Sequence, residues 1–162
     1  MATTGNDVIM GTNGPDNLKG LGGSDTIFGK GGNDTLSSDT GPGAPGNDSL
    51  FGGNDNDTLN GNAGNDTLTG GKGDDTFRYS GSEGNDRVTD FHFGEDRVDF
   101  RDASSAQIFN VYGNTIEAGD TGVSSVGGDL QINFGPTPFP GFGVLTLDGL
   151  GSDSLLVGSD VF

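Results

Sequence analysis

The chain has 162 residues, enough for one domain or one small repeat array. Gly supplies 33 of them, only 29% are hydrophobic, and 24 acidic against 7 basic residues set the formal net charge at -17. A chain this poor in apolar surface normally stays disordered, the charge argues against nucleic acid or anionic membrane as partner, no segment approaches the roughly 18 apolar residues of a membrane span, and the absence of Cys rules out disulfides and thiolate zinc sites.

The first ten residues, MATTGNDVIM, contain no Lys or Arg and no apolar core, so they do not read as a cleavable secretory signal. That leaves the cytoplasm, or export by a route that reads another part of the chain. From there the sequence repeats. Asp7, Asp16, Asp25 and Asp34 follow at nine-residue intervals, as do Asp48, Asp57, Asp66 and Asp75. Each stands two residues before a large apolar side chain: Ile9, Leu18, Ile27, Leu36, Leu50, Leu59, Leu68 and Phe77. Asp86 with Val88 and Asp96 with Val98 continue the series at spacings of eleven and ten. Gly precedes each Asp by two residues, except where Asp55 takes its place, and most units also open on Gly. The unit is G-x-x-G-x-D-x-U-x, with U a large aliphatic or aromatic residue. Between Asp34 and Asp48 the spacing is fourteen, which places an inserted Pro/Gly loop at about 37–43, within SSDTGPGAPG.

Six residues rich in Gly, Asn and Asp make a tight turn, because these residues accept positive φ. The x-U-x triplet that follows is a short strand with its middle side chain pointing inward. Two units complete an eighteen-residue coil, so turn n stacks on turn n+2. The predicted fold is all-β: a parallel β-roll over 1–100, with the U residues between two parallel sheets.

Stacked turns lie about 4.8 Å apart, and two unit charges at that distance repel by roughly 3 kcal/mol at an effective dielectric near 20. Several such terms exceed a typical net stability of about 5–15 kcal/mol. A hard divalent cation between turns reverses their sign. Calcium accepts six to eight oxygens and tolerates carbonyls mixed with carboxylates, whereas magnesium demands stricter octahedral geometry. Zinc favours His or Cys, which are nearly absent. The repeat therefore points to calcium.

The units GGNDTL, GNAGNDTLTG and GGKGDDTF resemble the nonapeptide repeats of RTX (repeats-in-toxin, hemolysin-type) calcium-binding proteins, over roughly residues 2–100. The stretch GNDRVTDFHFGEDRVDF resembles the segment that closes such arrays ahead of a C-terminal β region. The resemblance implies a right-handed solenoid with an ion between turns n and n+2. The lower turn gives the carbonyls of its second and fourth residues and its Asp; the upper gives those of its first and third and its Asp. Carried over by position, Thr3, Gly5 and Asp7 pair with Gly20, Gly22 and Asp25, and on the other edge Thr12, Gly14 and Asp16 pair with Gly29, Gly31 and Asp34. Leu21, Gly23 and Asp25 meet Gly43, Pro45 and Asp48, while Lys30, Gly32 and Asp34 meet Gly52, Asn54 and Asp57. Ala44, Gly46 and Asp48 then face Gly61, Ala63 and Asp66, and Gly53, Asp55 and Asp57 face Gly70, Lys72 and Asp75. Asn62, Gly64 and Asp66 face Gly81, Glu83 and Asp86, and Gly71, Gly73 and Asp75 are capped by Asp90. The expectation is about seven to eight calcium ions, of which seven would bring -17 to about -3. The insertion is expected to weaken the site below Asp48, and the first site to be half-formed for lack of a full preceding turn.

From 101 to 162 the repeat is gone. QIFNVYG, DLQINFG and VLTLDG alternate as half-buried antiparallel strands do, GPTPFPGFG reads as a loop, and the region is expected to be a β cap on the open end of the roll. The tail LLVGSDVF resembles the C-terminus of proteins exported by type I secretion. That resemblance implies an extracellular location and the bacterial type I machinery as a partner.

Catalysis is not expected. The one histidine, His92, sits between Phe91 and Phe93 and reads as a solvent-facing residue between core aromatics. Zincin, nucleophile-elbow and phosphate-loop motifs are missing. Acidic pairs such as Asp55–Asp57 and Asp74–Asp75 are explained by the turns. Three readings stay open: a secreted calcium-responsive module; a carbohydrate- or cell-surface-binding module of the adhesin or alginate-epimerase type; and the C-terminal secretion or stabilising domain of a larger hydrolase or toxin. Seven Lys and Arg residues are too few to form an obvious patch for a polyanion.

Overall fold

The computed structural model describes residues 2–41, 43–79, 84–92, 95–100, 109–110, 122–126, 129–133 and 144–148. There is no helix among them. The x-U-x triplets form the strands, and the Gly/Asn/Asp stretches form the bends between them. The odd strands β1 (Val8–Met10), β3 (Thr26–Gly31), β5 (Ser49–Asn54), β7 (Thr67–Lys72) and β9 (Asp86–Val88) stack in parallel into one sheet. The even strands β2 (Asn17–Lys19), β4 (Thr35–Ser37), β6 (Thr58–Asn60), β8 (Thr76–Tyr79) and β10 (Arg97–Phe100) build the other. Each odd–even pair is one coil, and five coils make the expected parallel β-roll.

Register keeps every U residue in line. Ile9 pairs with Ile27, Ile27 with Leu50, Leu50 with Leu68, and Leu68 with Val88. On the facing sheet Leu18, Leu36, Leu59, Phe77 and Val98 form the second row. Period-two alternation sends these side chains inward, and all from Ile27 to Val98 are buried. Ile9 and Leu18 are half-buried because β1 and β2 are edge strands, each paired on one side only. On the outer face of the first sheet, Phe28 and Phe51 stack with centroids 4.9 Å apart.

Beyond the roll, both sheets continue. β11 (Phe109–Asn110) adds antiparallel to β10, and β14 (Val144–Leu147) runs parallel to β9. β13 (Asp129–Asn133) and β12 (Gly122–Val126) then follow antiparallel. Strands thus fall within all three alternating segments of the C-terminal third, and β12 is an addition. Its GVSSV sequence has too little alternation to stand out, and its place comes from pairing with β13. Arg87 Nε donates to Asp148 Oδ2 at 2.5 Å, and Asp148 N–H to the Val88 carbonyl at 2.9 Å, tying β14 to the last coil. The GPTPFPGFG loop and the LLVGSDVF tail lie outside the described residues.

Candidate metal centre

Most inner turns use left-handed backbone at the second residue, the fourth or both. The second is Leu21 (φ 86), Lys30 (φ 84), Asn62 (φ 60), Gly53 or Gly71, and the fourth is Gly23, Gly32, Gly64, Gly73, Gly84 or, at one turn, Asp55 (φ 73). Asp55 therefore takes up the glycine's conformation, and its Oδ2 accepts the Gly32 amide at 3.1 Å. Stacking leaves no room for a side chain at the usual glycine: a Cβ on Gly64, at φ 145, would overlap the carbonyl oxygen of Gly46.

The aspartates form a ladder up each edge. On one, the amides of Asp7, Asp25, Asp48 and Asp66 donate to Oδ1 of Asp25, Asp48, Asp66 and Asp86, at 2.6–2.9 Å. On the other, those of Asp16, Asp34, Asp57 and Asp75 donate to Oδ1 of Asp34, Asp57, Asp75 and Asp96, at 2.8–2.9 Å. One oxygen of each carboxylate is thereby satisfied by the turn before it.

The other oxygen is not. Oδ2 of Asp25, Asp34, Asp48, Asp57, Asp66 and Asp75 is buried with no hydrogen-bond partner, in side chains only 1–2% exposed. Beside it the first-position glycine leaves space that a side chain would fill; a Cβ on Gly29 would overlap Asp34 Oδ2, and one on Gly70 would overlap Asp75 Oδ2. Burial, reinforced at most of these turns by the neighbouring carboxylates, raises these acids: Asp57 to about 7, Asp66 to about 8, Asp75 to about 6, and Asp25, Asp34 and Asp48 upward. Burial also lifts Asp86 to about 7. A buried carboxylate must take up a proton or meet a cation. Anionic oxygens among closely stacked main-chain oxygens are a donor set that suits calcium. Among the described residues no three acidic or imidazole side chains converge, so main-chain carbonyls would have to complete any site.

The ends of the ladders differ. Asp7 Oδ2 accepts the N–H and hydroxyl of Thr3 at 2.6 and 2.8 Å, and Asp16 Oδ2 those of Thr12 at 2.6 and 2.9 Å. At the far end His92 N–H donates to Asp96 Oδ2 at 2.8 Å. The oxygens that are orphaned inside the roll are thus met by protein donors at these three turns.

The structure brings together the turns paired by sequence, from Asp7 with Asp25 through Asp66 with Asp86, and it alters two assignments. Asp90 is not the carboxylate stacked on Asp75. Asp96 holds that place, and Asp90 instead accepts the amides of Gly70 and Gly71 at 2.9 and 2.8 Å. The insertion also enters later than expected. Ser38 occupies the first-position row between Gly20 and Gly61: its amide donates to the Asn60 carbonyl and its hydroxyl to that of Gly61. Gly43, expected in that row, stacks on Gly22, and Gly41 N–H reaches the Leu21 carbonyl at 3.0 Å. A serine standing where the repeat has glycine concealed this register. Gly81 and Glu83 lie outside the described residues.

A second ladder was missed. Asn6 Oδ1 accepts the Ser24 amide, Ser24 Oγ that of Asn47, Asn47 Oδ1 that of Asn65, and Asn65 Oδ1 that of Asn85. Asn33, Asn56 and Asp74 repeat it on the other edge. The recurrent Asn directly before the repeat's Asp was the available signal.

Residues 1–36 and 42–77 match the RTX calcium-binding nonapeptide repeat, in four copies. Among solved structures, the AlgE6R3 subunit of the Azotobacter vinelandii mannuronan C5-epimerase, determined in solution, is similar at 25% identity and a TM-score of 0.51, covering 99% of this chain and 79% of that one. No curated protein matches the chain. Repeat pattern, stacked aspartates and family match agree: residues 1–77 carry RTX calcium-binding nonapeptide repeats, folded as a parallel β-roll.

Proposed function

We propose that the chain is a secreted module whose roll folds when about seven to eight calcium ions bind between its stacked turns. The observation that carries this is the set of six buried, unpartnered Asp oxygens along the two edges. Each ion is held by the Asp of two successive turns on one edge, with carbonyls from the second and fourth residues of the lower turn and the first and third of the upper. Bound calcium supplies the positive charge that these oxygens lack. The chain's own part is to stack the carboxylates, exclude water and, at the turns that open on glycine, keep the first position open. Where calcium is scarce, inside a cell, the charge on the edges holds the chain open; outside, binding drives folding. Export by a type I route fits a module that must stay unfolded until it leaves. The site adds no nucleophile or acid–base pair, and the role is non-catalytic.

Equilibrium dialysis of the full chain against calcium and against magnesium tests this. Binding of about seven to eight calcium ions, with magnesium unable to replace them, is expected. No calcium binding, or equal binding of magnesium, would overturn it.

A second reading has one observation in its favour. The Phe28–Phe51 stack on the outer sheet face, in register with exposed Met10, is an apolar platform suited to the face of a sugar ring. Retardation of the calcium-loaded chain in a neutral-glycan affinity gel, lost in Phe51→Ala, would support a glycan-binding role.

A further inference from the structure

The insertion that breaks the nine-residue period carries a carboxylate the repeat does not have. Asp39 follows Ser38 in left-handed backbone at φ 37, where Asp and Asn are the best-tolerated residues after glycine. Its Oδ2 accepts the Gly46 amide at 3.1 Å, which holds the carboxyl across its own turn. Its Oδ1 is buried and has no partner. The carboxyl groups of Asp39 and Asp48 come within hydrogen-bonding reach of each other. Asp48 is itself 2% exposed, with its Oδ2 unpartnered. Two carboxylates brought this close in a buried turn, with the Ser38 hydroxyl also beside Asp48, must share a proton or hold a cation between them. Main-chain oxygens are also taken up here, since the Ser38 carbonyl accepts from Asn62 Nδ2 at 2.5 Å and the Gly61 carbonyl accepts from the Ser38 hydroxyl. The insertion engages two main-chain oxygens and supplies an anionic one.

We propose that Asp39 is a cation ligand: Asp39 Oδ1 and Asp48 Oδ2 hold one calcium ion at the insertion, and this is the tightest site of the roll. The inference rests on the calcium reading above and adds a ligand that the nonapeptide does not encode. Calcium affinity rises with the number of anionic ligands and the rigidity of the site. Asp39 raises the first, and its bond to Gly46 the second. The insertion then strengthens the step it was expected to weaken, and filling of this site comes first.

The test is a calorimetric calcium titration of the full chain and of Asp39→Asn. Asn keeps an acceptor for Gly46 and tolerates the left-handed backbone, so the substitution removes charge with little change of shape. Asp74→Asn is the control: it makes the same change of charge at an exposed turn residue on the opposite edge. The expected result is loss of the tightest binding class, or its weakening by tenfold or more, in Asp39→Asn alone. Superimposable isotherms for the two variants would overturn the proposal and leave the general calcium reading standing. Failure of Asp39→Asn to reach the wild-type β signal in saturating calcium would also overturn it, by assigning Asp39 to the shape of the loop. If the wild-type chain binds no calcium, both readings fall.

Discussion

The two oxygens of each interior aspartate have different tasks. Oδ1 accepts the amide of the turn before it, and Oδ2 is left for a cation. Asp66→Asn separates them, because the amide oxygen can still take the Asp48 N–H while the charge is gone. Because Asp66 serves the step to Asp48 and the step to Asp86, one to two ions fewer are expected by dialysis, and the calcium midpoint of folding rises several-fold. Asp7→Asn, whose Oδ2 is already met by Thr3, shifts the midpoint less. Backbone strain gives a separate test. Lys30 holds φ 84 in an exposed position where other turns place glycine. A non-glycine residue pays roughly 1–2 kcal/mol there, offset in part by the larger chain entropy that Gly loses on folding. Lys30→Gly should therefore stabilise the calcium-loaded roll by about 0.5–1 kcal/mol in urea melts.

Among elements, a strand's worth depends on its place in the stack. Leu59 in β6 is fully buried between β4 and β8, so Leu59→Ala should cost about 2–5 kcal/mol in calcium. Leu18 in β2 has a neighbour on one side only and is half-buried, so Leu18→Ala should cost less than half as much in the same denaturation series. The strands of the roll were legible because a nine-residue period with one large apolar residue per unit has few other ways to bury it. Stacking of turn n on n+2 followed from the same count. Residues that copy a role without copying the residue type were not legible. Ser38 stands in a glycine row, Thr3 and Thr12 satisfy carboxylates through hydroxyls, and Asp96 replaces Asp90 on the last step after a ten-residue spacing. These depend on contacts between coils, which the local pattern does not carry. Asp39 looked like part of a loop because nothing in SSDTGPGAPG shows that it folds back toward Asp48.

For the whole molecule, the balance lies between a thin apolar core and two columns of stacked acids. The pH dependence follows from the raised acids. With Asp57, Asp66, Asp75 and Asp86 at about 6 to 8 in the roll, against an ordinary value of 3.8, the folded chain holds protons that the unfolded chain has released. Stability of the calcium-free roll is therefore greatest near or below pH 4 and falls as pH rises toward 8. Calcium displaces those protons, so its apparent affinity rises over the same window. Calorimetric titrations in two buffers of different ionisation enthalpy should show proton release near pH 7, and release should disappear above about pH 9.

The most direct test of the central claim, that cations between the turns hold this roll together, is far-UV circular dichroism at pH 7.5 during a calcium titration from a chelated start, with magnesium as control. The account predicts a disordered spectrum in chelator and a steep transition to β structure in calcium that magnesium does not produce. A chelated chain that already shows the full β spectrum would contradict it.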